Sequence, residues 1–246
     1  MADLIYGMHA VAALVARAPE RIELLLAQEG RQDQRMQALL TGAEQAGVAH
    51  RRVARQELDE RTGGAHQGVA VQLRAGFEYR EAHLADLLDR TAEPLLLVLD
   101  GITDPHNLGA CLRSADAAGV TAVIAPRDRA VGLTPVVRKV ACGAAEVMPF
   151  IQVTNLARTL KWLQQRGIWT VGAAGEADLC LYDHKLTGPL ALVMGAEGSG
   201  LRRLTREHCD FLVKLPMAGS VSSLNVSVAT GICLYEAVRQ RRAATS

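Results

Sequence analysis

Four short apolar runs, spaced through sequence of helical texture, constrain this chain more than any other feature. They read LLLVLD (95–100), TAVIA (121–125), IWTVGAA (168–174) and LALVM (190–194). Each is continuous rather than alternating, the pattern of a strand buried on both faces. Strands that alternate with helices pair in parallel, and the helices cover the sheet. From Pro94 onward the expected fold is α/β, a mostly parallel sheet with helices on both faces. In such sheets ligands lie beyond the carboxyl ends of the strands. The chemistry of this chain belongs in the loops that follow its apolar runs.

Upstream, residues 1–74 read as a separate small α/β unit. MHAVAALVARA and RMQALLTGAEQAG have helical periodicity, the second closing at Gly47, while RIELLLA, HRRV and GVAVQL are strand-like. Residues 75–93 are charged, with one modest helix possible, and are predicted to be a linker. The length of 246 residues suits one large or two small domains. No apolar run approaches the roughly 18 residues of a membrane span. The opening MADLIYGMHA has no basic region leading into an apolar one, so no signal peptide is expected. Five cysteines without a C-x-x-C predict reduced thiols in a cytoplasm, and the histidines lack metal-ligand spacing, so no metal is expected. The net charge of +1 does not announce a nucleic-acid partner, yet the cations are local and mostly arginine, with only four lysines. Arginine's planar fork matches phosphate better than an ammonium does. Base composition and solvated helix faces would account for the same bias.

Three loops stand out. DGITDPHNLGACLRSADAAG (100–119) follows the first buried run. Pro105 bars an early helix start, Asn107 is a candidate cap, and Gly109 allows a close approach of backbone or ligand. MGAEGSGL (194–201) places Glu197 among glycines, where backbone N–H groups are exposed. Its G-x-x-G-x-G order and late position do not make a dinucleotide fingerprint. VKLPMAGSVSSLNVSVATG (213–231) breaks a strand near Leu215 and sets Ser222, Ser223 and Asn225 at or before a helix N-terminus. Capping explains one or two of its small polar residues, not all of them.

Together these loops resemble the three motifs of the SpoU, or TrmH-like, branch of the SPOUT RNA methyltransferases. The likeness runs through Asn107 and Arg113, then Gly195 and Glu197, then Ser223, Leu224 and Asn225, in the family's order. IYGMHAVAALV resembles the start of the family's N-terminal substrate-binding domain, itself similar to ribosomal protein L30e, so the likeness spans essentially the whole chain. DPHNLGACLRSADAAGV and PMAGSVSSLNVSVATGICL are most similar to members acting on guanosine in 23S ribosomal RNA.

The resemblance implies S-adenosylmethionine-dependent 2′-O-methylation of a guanosine ribose in 23S ribosomal RNA, in the cytoplasm. It implies an RNA-binding domain over 1–74 and a catalytic domain over 94–246, whose C-terminal segment is threaded into a deep trefoil knot. It also implies a homodimer through the C-terminal domain, with residues 223–241 at the interface. Arg113, Asn107, Glu197, Ser223 and Asn225 become the catalytic set, and Gly195, Leu215 and Leu224 the donor-binding set. A side chain at 195 would then crowd the donor. The arginine matching Arg113 is often given the role of base. A cation that grips phosphate and stabilises the developing alkoxide explains it better, because a guanidinium does not release its proton in proteins. Two alternatives stay open: a transfer RNA substrate, or an RNA-binding ribosome-assembly factor whose methylation is incidental or lost.

Overall fold

The computed structural model describes residues 4–63, 66–74 and 78–244. The chain divides into two units, Met1–Glu78 and Tyr79–Ser246. In the first, β1 (Leu4–Tyr6), β2 (Ile22–Gln28), β3 (His50–Val53) and β4 (Val69–Leu73) form a sheet in the order β1-β4-β2-β3. β2 runs parallel to β3 and antiparallel to β4, which pairs antiparallel with β1. The connecting helices are α1 (Met8–Arg17), α2 (Gln34–Gln45) and α3 (Arg55–Thr62). Val11, Leu14, Met36 and Leu39 make up part of the buried stripes of α1 and α2, at the three- and four-residue spacings that bury one helix face. Just beyond α2, Gly47 adopts φ +68, as a left-handed helix stop requires.

In the second unit α4 (His83–Asp89) precedes the large sheet. Its strands are β5 (Leu95–Asp100), β6 (Ala122–Pro126), β7 (Phe150–Val153), β8 (Trp169–Ala173), β9 (Leu179–Cys180), β10 (Leu190–Gly195) and β11 (Phe211–Lys214). Among the described residues they lie in the order β7-β6-β5-β10-β8-β11-β9, and every pairing is parallel. The helices flanking the sheet are α5 (Pro105–Ala117), α6 (Pro135–Val140), α7 (Ala144–Val147), α8 (Leu156–Gln165), α9 (Arg203–Glu207) and α10 (Val226–Ala244). Leu97, Leu99, Leu108, Leu112, Leu192 and Leu234 lie in one continuous core, each contributing roughly 1.5–3 kcal/mol by leaving water. All four apolar runs of the sequence are strands of this sheet.

The modest helix allowed within the expected linker is present as α4, which buries Leu84, Leu87 and Leu88, and Tyr79 onward belongs to the second unit rather than to a free linker. The three- and four-residue spacing of those leucines makes one apolar helix face, which the surrounding charges obscure. Residues 75–77 of that stretch lie outside the described residues. Asn107 is not the cap of α5. The cap is Asp104, whose carboxylate accepts from the backbone N–H groups of His106 and Asn107, with Pro105 as the first helical residue. Asn107 sits inside the first turn with its side chain free for other bonds. Gly109 serves packing rather than a ligand, because a Cβ there would lie 2.6 Å from Val140 Cβ of α6.

Asp104→Ala should therefore lower stability by about 1 kcal/mol, a fall in melting temperature of roughly 2–4 °C. Asn107→Ala should lower it by less, and differential scanning calorimetry of the two variants checks the order.

Candidate active site

The site begins where β10 ends. Gly195 pairs in register with Asp100, so the loops that follow β10 and β5 leave the sheet side by side. Ala196 and Gly200 exchange backbone hydrogen bonds of 3.1 and 2.9 Å, closing a tight loop that carries Glu197 outward. Gly198 and Gly200 take φ of +80 and +64, a region costly for other residues. A Cβ on Gly195 would lie 2.2 Å from the Gly200 carbonyl carbon and 2.3 Å from Leu201 N. A side chain at 195 would thus strike the loop's own backbone before anything else.

Arg202 anchors the far end of the loop. Its backbone N–H donates to Asp100 Oδ2 at 2.9 Å, and its Nε donates to Oδ1 at 2.5 Å. Asp100 is 0% exposed, and a buried carboxylate without donors would be strongly unfavourable. The sequence reading missed this pair. Its signal was the acid closing an otherwise apolar run, with an arginine cluster downstream.

Three segments far apart in the chain then meet on one carboxylate. Asn107 Nδ2 donates to Glu197 Oε2 at 3.2 Å, and Asn225 Nδ2 donates to Asn107 Oδ1 at 2.9 Å and to Glu197 Oε2 at 3.5 Å. Asn225 Oδ1 accepts from Ser227 N at 2.9 Å and Ser227 Oγ at 2.6 Å, so Asn225 also caps α10. The pattern fixes both amides. Reversing either one would set donor against donor.

Beside this junction lies a cavity of about 370 Å³ at the carboxyl ends of β8, β10 and β11. Gly195, Glu197, Leu215, Ser223 and Leu224 all line it, with Met194, Val213, Met217 and Ala229 adding apolar wall. Ala173, Ala174 and Gly175 add small residues to the lining, with the paired Glu176 and Arg206. Sequence reasoning overlooked this last group, whose small residues carry no distinctive pattern. Volume and lining suit a ligand with a flat apolar part and polar groups that reach backbone or carboxylate. Arg113 makes no hydrogen bond to the junction among the described residues: it is exposed, and its Nη1 donates to Cys142 Sγ at 3.5 Å. Cys142 takes a left-handed φ of +51, just before Gly143 at +90.

Comparison with known proteins decides the family. Residues 94–235 match the model of the SpoU rRNA Methylase family. The chain belongs to that family. Residues 4–77 match a second model, described as RNA 2′-O ribose methyltransferase substrate binding. The chain is 61% identical over 242 residues to the 23S rRNA (guanosine-2′-O-)-methyltransferase RlmB of Escherichia coli (strain K12), covering 98% of this chain and 100% of that one. It is 62% identical over 241 residues to the RlmB of Pseudomonas putida, covering 98% and 97%. A solved SpoU methyltransferase, AviRb from Streptomyces viridochromogenes in complex with the cofactor AdoMet, is 27% identical and superposes with a TM-score of 0.63 over 98% of this chain and 90% of that one.

Within this SpoU chain the cysteines differ sharply in burial. Burial pushes the Cys111 thiol up to about 11 and the Cys233 thiol up to about 12; burial, aided by the charges of Asp210 and Asp100, pushes Cys209 up to about 12. Cys142 is exposed. A disulfide reagent at pH 8 should label Cys142 in a fast phase that Cys142→Ser removes. Cys111, Cys209 and Cys233 should react only once denaturant is added.

Proposed function

We propose that this protein transfers a methyl group from S-adenosylmethionine to the ribose 2′-hydroxyl of a guanosine in 23S ribosomal RNA. The observation that carries the reading is the convergence of Asn107, Glu197 and Asn225 beside a cavity of suitable lining, in a chain 61% identical end to end to an enzyme named for that reaction. A ribosomal RNA substrate supports a cytoplasmic location, and no helix among the described residues is long and apolar enough to cross a membrane.

The cavity fits the donor by its chemistry. Leu215, Leu224 and Val213 offer apolar wall to a flat base, the Gly195–Leu201 loop offers backbone groups, and Glu176 and Glu197 offer carboxylates to a cationic ligand. Bound there, the donor supplies a methyl group on a sulfonium that departs as a neutral thioether. The chain's own residues then have to hold the ribose in line, and positioning of this kind can be worth about 7–11 kcal/mol. Glu197, held by two amides, has acceptor capacity left for a ribose hydroxyl. Ser223 and Asn225 order the pocket beside it. Arg113 serves as a cation on the RNA phosphate and on the developing alkoxide. The first unit is the RNA-recognition domain, a role supported by its match to a substrate-binding model. The family's trefoil knot is inferred too; β10 lying between β5 and β8, with α10 packed on α5 and β10, is consistent with it.

The experiment is incubation with tritiated donor and total bacterial RNA, followed by mapping of the label. Label in a 23S guanosine ribose supports the reading; label in transfer RNA, or none, overturns it. Arg113→Ala should lower single-turnover methylation by about 10²–10³-fold, the scale of losing one transition-state donor. Arg113→Lys keeps the charge but loses the bidentate grip and should recover part of that loss. A base at this position predicts instead a lysine variant near wild-type rate, with its pH profile shifted, since an ordinary lysine titrates at about 10.4.

A homodimer through α10 completes the proposal. Val228 and Tyr235 are each 52% exposed, and with half-buried Ile232 they form an apolar stripe at helical spacing. Static light scattering should give twice the mass of the chain at micromolar concentration, and a Val228→Asp/Tyr235→Asp variant should give the single-chain mass.

A further inference from the structure

The inference rests on the RNA methyltransferase reading and concerns where the RNA strand is gripped. The loop following β6, residues 127–134, leaves the sheet at the same edge as the site. Val98 of β5 pairs with Ile124 of β6, and two residues later Asp100 pairs with Gly195 of β10. The loop is pinned at both ends. The Arg127 N–H donates to the Val153 carbonyl at 2.9 Å, and the Val131 N–H donates to the Ile102 carbonyl at 2.9 Å, in the segment leading to α5.

Arg127 and Arg129 are exposed, and neither forms an ion pair among the described residues. Many other guanidinium groups of this unit are engaged, as are Arg138 on Glu146, Arg166 on Asp89 and Arg206 on Glu176. Asp128, between the two arginines, is exposed and pairs with neither. The backbone adds a second observation. The described residues other than glycine with left-handed φ are Gln67, Arg129 and Cys142. A left-handed conformation is unfavourable for an L side chain, and such outliers gather at functional sites. Cys142 touches Arg113, and Arg129, at φ +57, sits on this neighbouring loop. Lys139 is exposed on α6, the helix into which the loop runs, and adds a cation to the same segment.

We propose that Arg127 and Arg129 form a phosphate-binding subsite for the RNA strand that flanks the methylated nucleotide. A guanidinium fork held on a pinned turn matches phosphate oxygens in pairs. Phosphate contacts fix register without reading sequence. The subsite acts on affinity and on its salt dependence, not on the chemical step.

The test uses the full chain, with filter binding and steady-state methylation of unmodified 23S ribosomal RNA transcribed in vitro. Arg127→Ala/Arg129→Ala should raise KM about tenfold and leave kcat within about twofold. It should also flatten the slope of log affinity against log salt by about 1.5, the loss of two phosphate contacts. Arg127→Lys/Arg129→Lys, which keeps the charges, should restore most of the slope and part of the affinity. Lys161→Ala, which removes an exposed cation on α8, should match wild type. An alanine double variant with unchanged KM and slope overturns the subsite, as does a Lys161→Ala variant that falls equally far. A wild-type protein that binds no ribosomal RNA overturns the methyltransferase reading and this subsite together; an active wild type with an unaffected double variant overturns the subsite alone.

Discussion

A carboxylate without access to water holds the site together. Asp100 ends a strand that is otherwise apolar, and it is fully buried. Removing one partner of a buried pair strands the other charge, at about 3–5 kcal/mol. Asp100 therefore demands the donors that Arg202 provides from its backbone and its guanidinium. Because Gly195 stands opposite Asp100 in register, the loop from 195 to 202 starts beside Asp100 and ends on its carboxylate. Its fixed path carries Glu197 to the place where α5 and the start of α10 can reach it. Partial solvent access at Arg202 leaves that side chain hydrated on one side, which lightens the desolvation cost of the pair.

The junction at Glu197 is built from neutral donors. Asn107 and Asn225 bond the carboxylate without cancelling its charge, so its negative field remains for whatever enters the cavity. This division of labour depends on the cap of α5. Asp104 satisfies the first free N–H groups of that helix and so releases Asn107 for a tertiary role. The small polar residues before α10 divide in the same way. Asn225 caps the helix by accepting from Ser227, while Ser222 and Ser223 line the cavity, where larger side chains would fill it.

The strands of the large sheet were legible because burial on both faces demands unbroken apolar sequence. β7 and β9 were not, being four and two residues long, and neither was β1, with three. α3 buries only Leu58, so it carries no periodicity to detect. The candidate site residues were legible as types in loops after strands, and the structure brings Asn107, Glu197 and Asn225 into direct contact. It leaves Arg113 on Cys142 instead, since six residues along a helix turn the two positions to different sides. For Gly109 the sequence offered a close approach of backbone or ligand, and only the structure decided that the neighbour is α6; at Gly195 it added the loop's own backbone as what a Cβ would strike.

By itself, then, the sequence determined the class of fold, the edge of the sheet where chemistry belongs and the residue types found there. These follow from local physics: burial patterns, helix stops and the turn chemistry of glycine and proline. Only the tertiary structure decided which donor meets which acceptor. Asp100 with Arg202 and Asn107 with Asn225 are separated by 102 and 118 residues. Pairings at that range depend on strand order and register, and the large sheet inserts β10 between β5 and β8. No local pattern encodes that insertion, because it arises only when every strand has found its neighbours.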